Sequence, residues 1–210
     1  QYAATDGKGY ISLPTGNHDM PRLAYHRTLP EIADCFVFLL TMPGVPFVYY
    51  GDEIGMPYIS ELPSKEGGFS RTGSRTPMQW TNGKNAGFST ASADALYLPV
   101  NEHGVSVQAQ MAQGDSLLRT VQKLIALRKS SPALCADGRV EFLNRRHGGY
   151  PLVYRRYDEH EEYTVCINPL DEAREYALDG KWETVLAHDA ALENGTVQLK
   201  PFGYVILKKA

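Results

Sequence analysis

Tyr10-Ile11-Ser12-Leu13-Pro14-Thr15-Gly16-Asn17-His18-Asp19 and Val45-Pro46-Phe47-Val48-Tyr49-Tyr50-Gly51-Asp52-Glu53 are the two runs that decide the fold of this chain. Each is a short apolar run that breaks at a glycine and then presents polar side chains. An apolar helical pattern lies between them, so Tyr10 to Met56 reads as strand, helix, strand: a βαβ unit of a parallel sheet. In such sheets the loops after the carboxyl ends of the strands carry the chemistry. His18 and Asp19 are therefore the first candidates. The Val45–Tyr50 run is continuously apolar, the pattern of a parallel strand covered on both faces, and Pro46 is tolerable so near a strand's start.

Thr28 or Leu29, ahead of Pro30 and Glu31, makes a sensible helix start, with proline in the first turn and an acid near the positive end of the dipole. The body from Ile32 to Leu40 is apolar on nearly every face, and Pro43-Gly44 ends it. A helix with no wet side is buried, which implies more protein around it than a small two-layer domain supplies. From Pro57 to Gln113 the chain is irregular and rich in Gly, Ser, Asn and Pro, and a connection that long is usually functional. Asp115 or Ser116 then caps a second helix with Leu117, Leu118, Val121, Leu124 and Ile125 on one face, terminated by Pro132. After about Asp137 the texture changes. Short alternating runs follow at Arg139–Leu143, Leu152–Tyr157, Tyr163–Asn168, Arg174–Leu178, Glu183–Ala187, Thr196–Leu199 and Tyr204–Leu207. Turn signals at His147-Gly148-Gly149, Asn168-Pro169, Asp179-Gly180 and Asn194-Gly195 separate them. That spacing reads as an antiparallel β-sandwich. The expected organisation is α/β plus all-β, with residues 1–136 in the first part and 137–210 in the second.

The bulk numbers exclude whole classes. The 210 residues are 43% hydrophobic, enough for a sizeable core, and 21 basic against 24 acidic residues leave a net charge of −3. That balance offers no field for a nucleic-acid backbone. The longest apolar stretch, Cys35 to Val45, is too short to span a bilayer. Gln1-Tyr2-Ala3 lacks the basic head and apolar centre of a signal peptide, and polypeptide is expected upstream of Gln1. Cys35, Cys135 and Cys166 are widely spaced and odd in number, which favours free thiols in a reducing, cytoplasmic compartment over a disulfide framework.

Asn17-His18-Asp19 is either a turn, since Asn and Asp cap loops readily, or a site at a strand end. A metal would need further histidines on neighbouring strand ends, and His26 is the only other one nearby. Adjacent Asp52 and Glu53 point to opposite faces of an extended chain and cannot form a facing acid/base pair; one of them is expected to tie the loop to backbone amides. Phe69, Trp80, Phe88 and Tyr97 either stack on a ligand or form the long loop's own core. Arg71 and Arg75 beside them are loop ties or donors to hydroxyls and anions.

Three stretches together resemble the α-amylase family of glycoside hydrolases. Ser12-Leu13-Pro14-Thr15-Gly16-Asn17-His18-Asp19 is similar to that family's fourth sequence signature, and Gly44 to Met56 to its eighth barrel strand. Ser74-Arg75-Thr76-Pro77-Met78-Gln79-Trp80, followed by Ala86-Gly87-Phe88-Ser89, resembles the loop of the α-glucosidase, oligo-1,6-glucosidase and trehalose synthase branch. The resemblance implies the last two βα units of a TIM-type (β/α)8 barrel followed by the family's C-terminal sandwich. It implies a catalytic Asp19 that stabilises the transition state by gripping sugar hydroxyls, and substrate-binding roles for His18 and Arg75. An oxocarbenium-like transition state gains from such a fixed carboxylate.

The family's retaining mechanism also needs a carboxylate nucleophile and a carboxylic acid on the fourth and fifth strands. This chain matches from the seventh strand onward, so both are expected outside it and the 210 residues alone are expected to be inactive. No cofactor or metal is implied, and calcium is unsupported because no Asp-x-Asp-x-Asp loop occurs. The implied partners are an α-linked gluco-oligosaccharide or disaccharide, and either the missing N-terminal barrel segment or a second copy to cover the open strand edges. Two other readings stand beside the enzyme part: a non-catalytic carbohydrate-binding module, and a structural half that complements another chain. Bond specificity, and water against a sugar as glycosyl acceptor, are left open by the residues.

Overall fold

The computed structural model describes residue 5 and residues 7–101, 105–144 and 148–210. The turn expected at His147-Gly148-Gly149 begins on His147, which lies outside the described residues, as does Gln1. In chain order the elements are β1 (Ser12–Pro14), α1 (Leu29–Thr41), β2 (Val45–Phe47), α2 (Val107–Met111), α3 (Leu117–Ser130), β3 (Arg139–Phe142), β4 (Leu152–Tyr157), β5 (Glu162–Ile167), β6 (Arg174–Ala177), β7 (Trp182–Glu193) and β8 (Thr196–Lys209). Among the described residues no helix is long and apolar enough to cross a membrane.

β1 and β2 pair as a two-stranded sheet. Val45 N–H donates to Ile11 and Thr15 N–H to Phe47, each at 2.9 Å, an order that makes the strands parallel. Both are shorter than their apolar runs, because the chain turns at Thr15 and again after Phe47. The two-sided cover expected for Val45–Tyr50 is not found: Phe47 is 55% exposed, and Val45, Val48 and Tyr50 also face solvent. Among the described residues β1 alone pairs with β2, and these side chains keep a third or more of their surface open. Glu31 supports the start of α1 by accepting from both the N–H and the hydroxyl of Thr28 at 2.7 Å, half of a capping box.

The chain divides into two compact units: Gln1–Ser12, Ala33–Val45 and Leu124–Ala210 in one, Leu13–Ile32 and Pro46–Lys123 in the other. In the first, among the described residues, six antiparallel strands form one sheet of order β3-β4-β5-β8-β6, with β7 on the other edge of β8. β8 pairs β6 through Thr196–Leu199 and β5 through Tyr204–Lys208, and β7 follows it along its whole length. The two runs expected at Thr196–Leu199 and Tyr204–Leu207 are thus one strand, and β7 is longer than its expected run. The Pro201-Phe202-Gly203 interruption is carried as a bend rather than a break, opposite register shifts in β7. Gly203 is required there, since a Cβ would meet Asp189 O at 2.5 Å. Strands that bend at bulges form the corners of sandwiches. Here both halves of the bent sheet contribute to one core: Val153, Cys166, Val205 and Leu207 from one, Val197, Leu199 and Leu178 from the other.

Two buried arginines complete this unit. Arg128 of α3 donates to the carbonyls of Leu40, Met42 and Gly44, which α1 and its exit leave unpaired. Arg156 of β4 donates to the carbonyls of Thr41, Cys135, Gly138 and Arg139. The second unit packs on Ile54, Met56, Met78 and Leu118, with Val105 and Val107 against them. The long segment expected to be irregular therefore contributes α2 and several 3₁₀ turns, including Phe69–Ser74 and Lys84–Gly87.

Candidate active site

The site is built on the loop after β1. Thr15 leaves the strand still hydrogen-bonded to Phe47, and the side chain of Asn17 accepts from Asp19 N–H at 2.8 Å. This Asx turn is the local reason the triplet folds as it does. It leaves the carboxylate of Asp19 at the rim, 45% exposed.

Three cationic or polar groups converge on that carboxylate. Arg71 Nη1 donates to Oδ1 at 3.0 Å and Arg75 Nη2 to the same oxygen at 3.1 Å. His18 Nε2 stands 3.4 Å from Oδ2. Arg75 also donates through Nε to the carbonyl of His18, while Arg71 is anchored on the carbonyls of Gly67 and Gly68. Desolvation, the largest single influence, raises the Asp19 pKa, but His18, Arg71 and Arg75 together outweigh it and hold the carboxyl below its ordinary value of 3.8. Asp19 is therefore an accessible anion at neutral pH. One of its oxygens is occupied by guanidinium donors, and the other is left beside an imidazole.

The structure brings together all three residues singled out from the sequence, His18, Asp19 and Arg75. It adds Arg71, which the sequence leaves open between loop tie and donor; here it does both. The only signal for it was a second arginine four places before Arg75 in the same glycine-rich stretch. Phe69, Trp80, Phe88 and Tyr97 are all at least half exposed, so they do not form the loop's core. Apolar side chains elsewhere in the segment took that place.

Below the rim the polar groups are buried. Asp52, fully inaccessible, accepts from Thr15 Oγ1 at 2.6 Å and from Leu23 N–H at 3.2 Å. Burial raises its pKa, against the opposing pull of those two donors and of Arg22. Arg22 lies over the rings of Tyr50 and Tyr49, at 4.6 and 5.2 Å, and donates to the carbonyl of Tyr50. Tyr49 and Tyr50 in turn donate to the carbonyls of Ser74 and Thr76, and Ser74 Oγ donates to that of Met20. The arginine-bearing segment is thus fastened next to Asp19 by neutral hydrogen bonds. Among the described residues no three His, Cys, Asp or Glu side chains cluster as a metal site.

The model of the alpha-amylase catalytic domain matches residues 2–137. A glucan 1,6-alpha-glucosidase of Streptococcus pneumoniae is 30% identical over 87% of this chain and 40% of its own length. A trehalose synthase of Thermus thermophilus is 37% identical over 79% of this chain and 17% of its own length. The crystal structure of a trehalulose synthase from Pseudomonas mesoacidophila superposes over 98% of this chain and 44% of that one, with a TM-score of 0.83 at 25% identity. The chain thus spans less than half the length of each of these proteins. Its architecture is that of the last two βα units of a (β/α)8 barrel with an antiparallel C-terminal β domain.

Proposed function

Because the chain belongs to the alpha-amylase catalytic-domain family, we propose that it forms the C-terminal part of an enzyme acting on α-linked glucosides. Residues 1–136 are its share of the barrel and 137–210 its appended sandwich; the family match over residues 2–137 supports that division. Asp19 stabilises positive charge growing on the pyranose ring and grips its hydroxyls, with His18, Arg75 and Arg71 holding the same sugar. The observation that carries this reading is the exposed carboxylate of Asp19, kept anionic and oriented by donors on one oxygen. A preorganised anion of this kind stabilises an oxocarbenium-like transition state without reorganising as charge develops.

The nucleophile and the general acid of a retaining mechanism are supplied by barrel strands outside these 210 residues, either from further polypeptide or from an associated chain. Hydrolysis is the primary reading. Transfer to a sugar is the alternative, and the trehalose synthase and trehalulose synthase relatives favour it.

The test joins these residues behind the first six βα units of the streptococcal glucosidase and measures turnover of an aryl α-glucoside, with and without an acceptor sugar. Asp19→Asn lowers kcat roughly 100-fold or more, the usual cost of losing one preorganised electrostatic group. The 210 residues alone show no turnover above buffer. An Asp19→Asn enzyme working at the parent rate overturns the assignment.

A further inference from the structure

We infer that Asp52, which never reaches the surface, is the positioning residue that fixes where Asp19 stands. The inference rests on the role proposed for Asp19 and goes beyond it to the group that places it. The loop from Thr15 to Leu23 carries Asn17, His18 and Asp19, and one buried carboxylate holds both of its ends. Oδ2 of Asp52 accepts from the Thr15 hydroxyl at 2.6 Å and Oδ1 from the Leu23 amide at 3.2 Å.

The tether continues into β2's exit. Thr15 Oγ1, having given its proton to Asp52, accepts from Tyr49 N–H at 2.9 Å. The loop entrance, the loop exit and the end of the second strand therefore meet at one side chain. A buried carboxylate is costly unless donors and opposite charge attend it. Asp52 has two donors, with the Arg22 guanidinium as the nearby opposite charge. Fixed at both ends and at its centre by the Asx turn, the loop has little freedom left at residue 19.

Two proteins test this. In the 210-residue chain, nitrogen-15 relaxation is compared for the parent, Asp52→Leu, Asp52→Asn, Thr15→Val and Thr15→Ser. Asp52→Leu and Thr15→Val drop the order parameter of the Asp19 amide below about 0.6, the flexible range, while amides of β4 and β5 stay rigid. Asp52→Asn and Thr15→Ser, which keep polar partners, hold residue 19 in place. In the barrel-complete enzyme Thr15→Val lowers kcat about 100-fold, as small misplacements of a reacting group do, with KM nearly unchanged. A folded Thr15→Val chain with a rigid Asp19 amide overturns the inference, and so does a loss confined to KM. Should Asp52→Leu fail to fold, the Thr15 pair still decides. Asp19→Asn is the separate control: if it leaves kcat intact while Thr15→Val frees the loop, the reading of Asp19 fails and the tether stands.

Discussion

Arg75 reaches across 56 residues of chain to donate from Nη2 to Oδ1 of Asp19 at 3.1 Å. Arg71 meets the same oxygen, so two guanidinium groups converge on one carboxylate atom. Their joint effect, with His18, is to keep Asp19 ionised. Replacing both arginines by glutamine moves the Asp19 midpoint up toward its ordinary value, read by carbon-detected NMR titration of the carboxyl. The sign of the linked stability follows. A carboxyl whose folded pKa is depressed adds stability above its unfolded value of about 3.8 and loses it as pH falls through the folded pKa. The parent therefore loses stability below pH ~4 more steeply than the double variant. An unmoved midpoint means the ion pairs are not populated in solution.

Arg128 is a stability determinant rather than a site residue. Its guanidinium occupies three carbonyls, at 2.9 Å on Leu40, 2.7 Å on Met42 and 2.6 Å on Gly44, at the C-terminal end of α1. The last carbonyls of a helix have no partner within it. Arg128→Met keeps an apolar stem of similar length and strands those acceptors, at a cost of about 2–4 kcal/mol. Urea unfolding followed by fluorescence measures it. A shift below roughly 0.5 kcal/mol, the range of ordinary surface substitutions, means that water replaces the guanidinium without loss.

The three thiols separate by burial. Cys166 is wholly enclosed in the sandwich core, where burial pushes its thiol up to about 12, while Cys35 and Cys135 are only partly covered. At pH 8 a thiol reagent modifies Cys35 and Cys135 first and reaches Cys166 only on unfolding. The alkaline linkage follows from the same shift. Once pH exceeds the unfolded thiol's pKa of about 8.5–9, the unfolded state ionises and the folded state does not, so stability falls toward pH 12. Cys166→Ala flattens that alkaline slope. Equal reactivity of all three thiols in the folded chain rules out the enclosed position.

Local signals were readable where the chain's own residues decide the outcome. Thr28 with Glu31 marks the start of α1, Ser116 and Pro132 bracket α3, and alternation with turn residues outlines β3 to β6. Asn17-His18-Asp19 announced a strand-end turn, and the Asp52-Glu53 pair a loop tie without showing which of the two makes it. What was not legible depends on distance. Arg71 meets Asp19 from 52 residues away, and no local pattern distinguishes it from a surface arginine. The continuity of β8 through Pro201 and Gly203 was hidden because breaker residues look alike at a bend and at a turn. The apolar Val45–Tyr50 run signalled burial on both faces, but among the described residues β2 pairs with β1 alone and Val45, Phe47 and Val48 stay exposed.

That uncovered run yields the last prediction. Val45, Phe47, Val48 and Tyr50 form an exposed apolar stretch, and Phe47 is the most open of them at 55%. Parallel strands are normally buried on both faces, and an open, apolar strand edge is a template for association. The isolated chain therefore associates through this run at tens of micromolar. Light scattering gives a mass above the 23.3 kDa of one copy, and amides of residues 10–60 exchange faster than those of β4, β5 and β8. Val45→Lys with Phe47→Glu restores a single-copy mass without unfolding the sandwich, because neither side chain belongs to its core. Supplying the first six βα units of a relative protects the same amides in the parent chain and not in the double variant. A monodisperse 23.3 kDa particle whose residues 10–60 are as protected as the sandwich would show that β1, α1 and β2 are stable unaided.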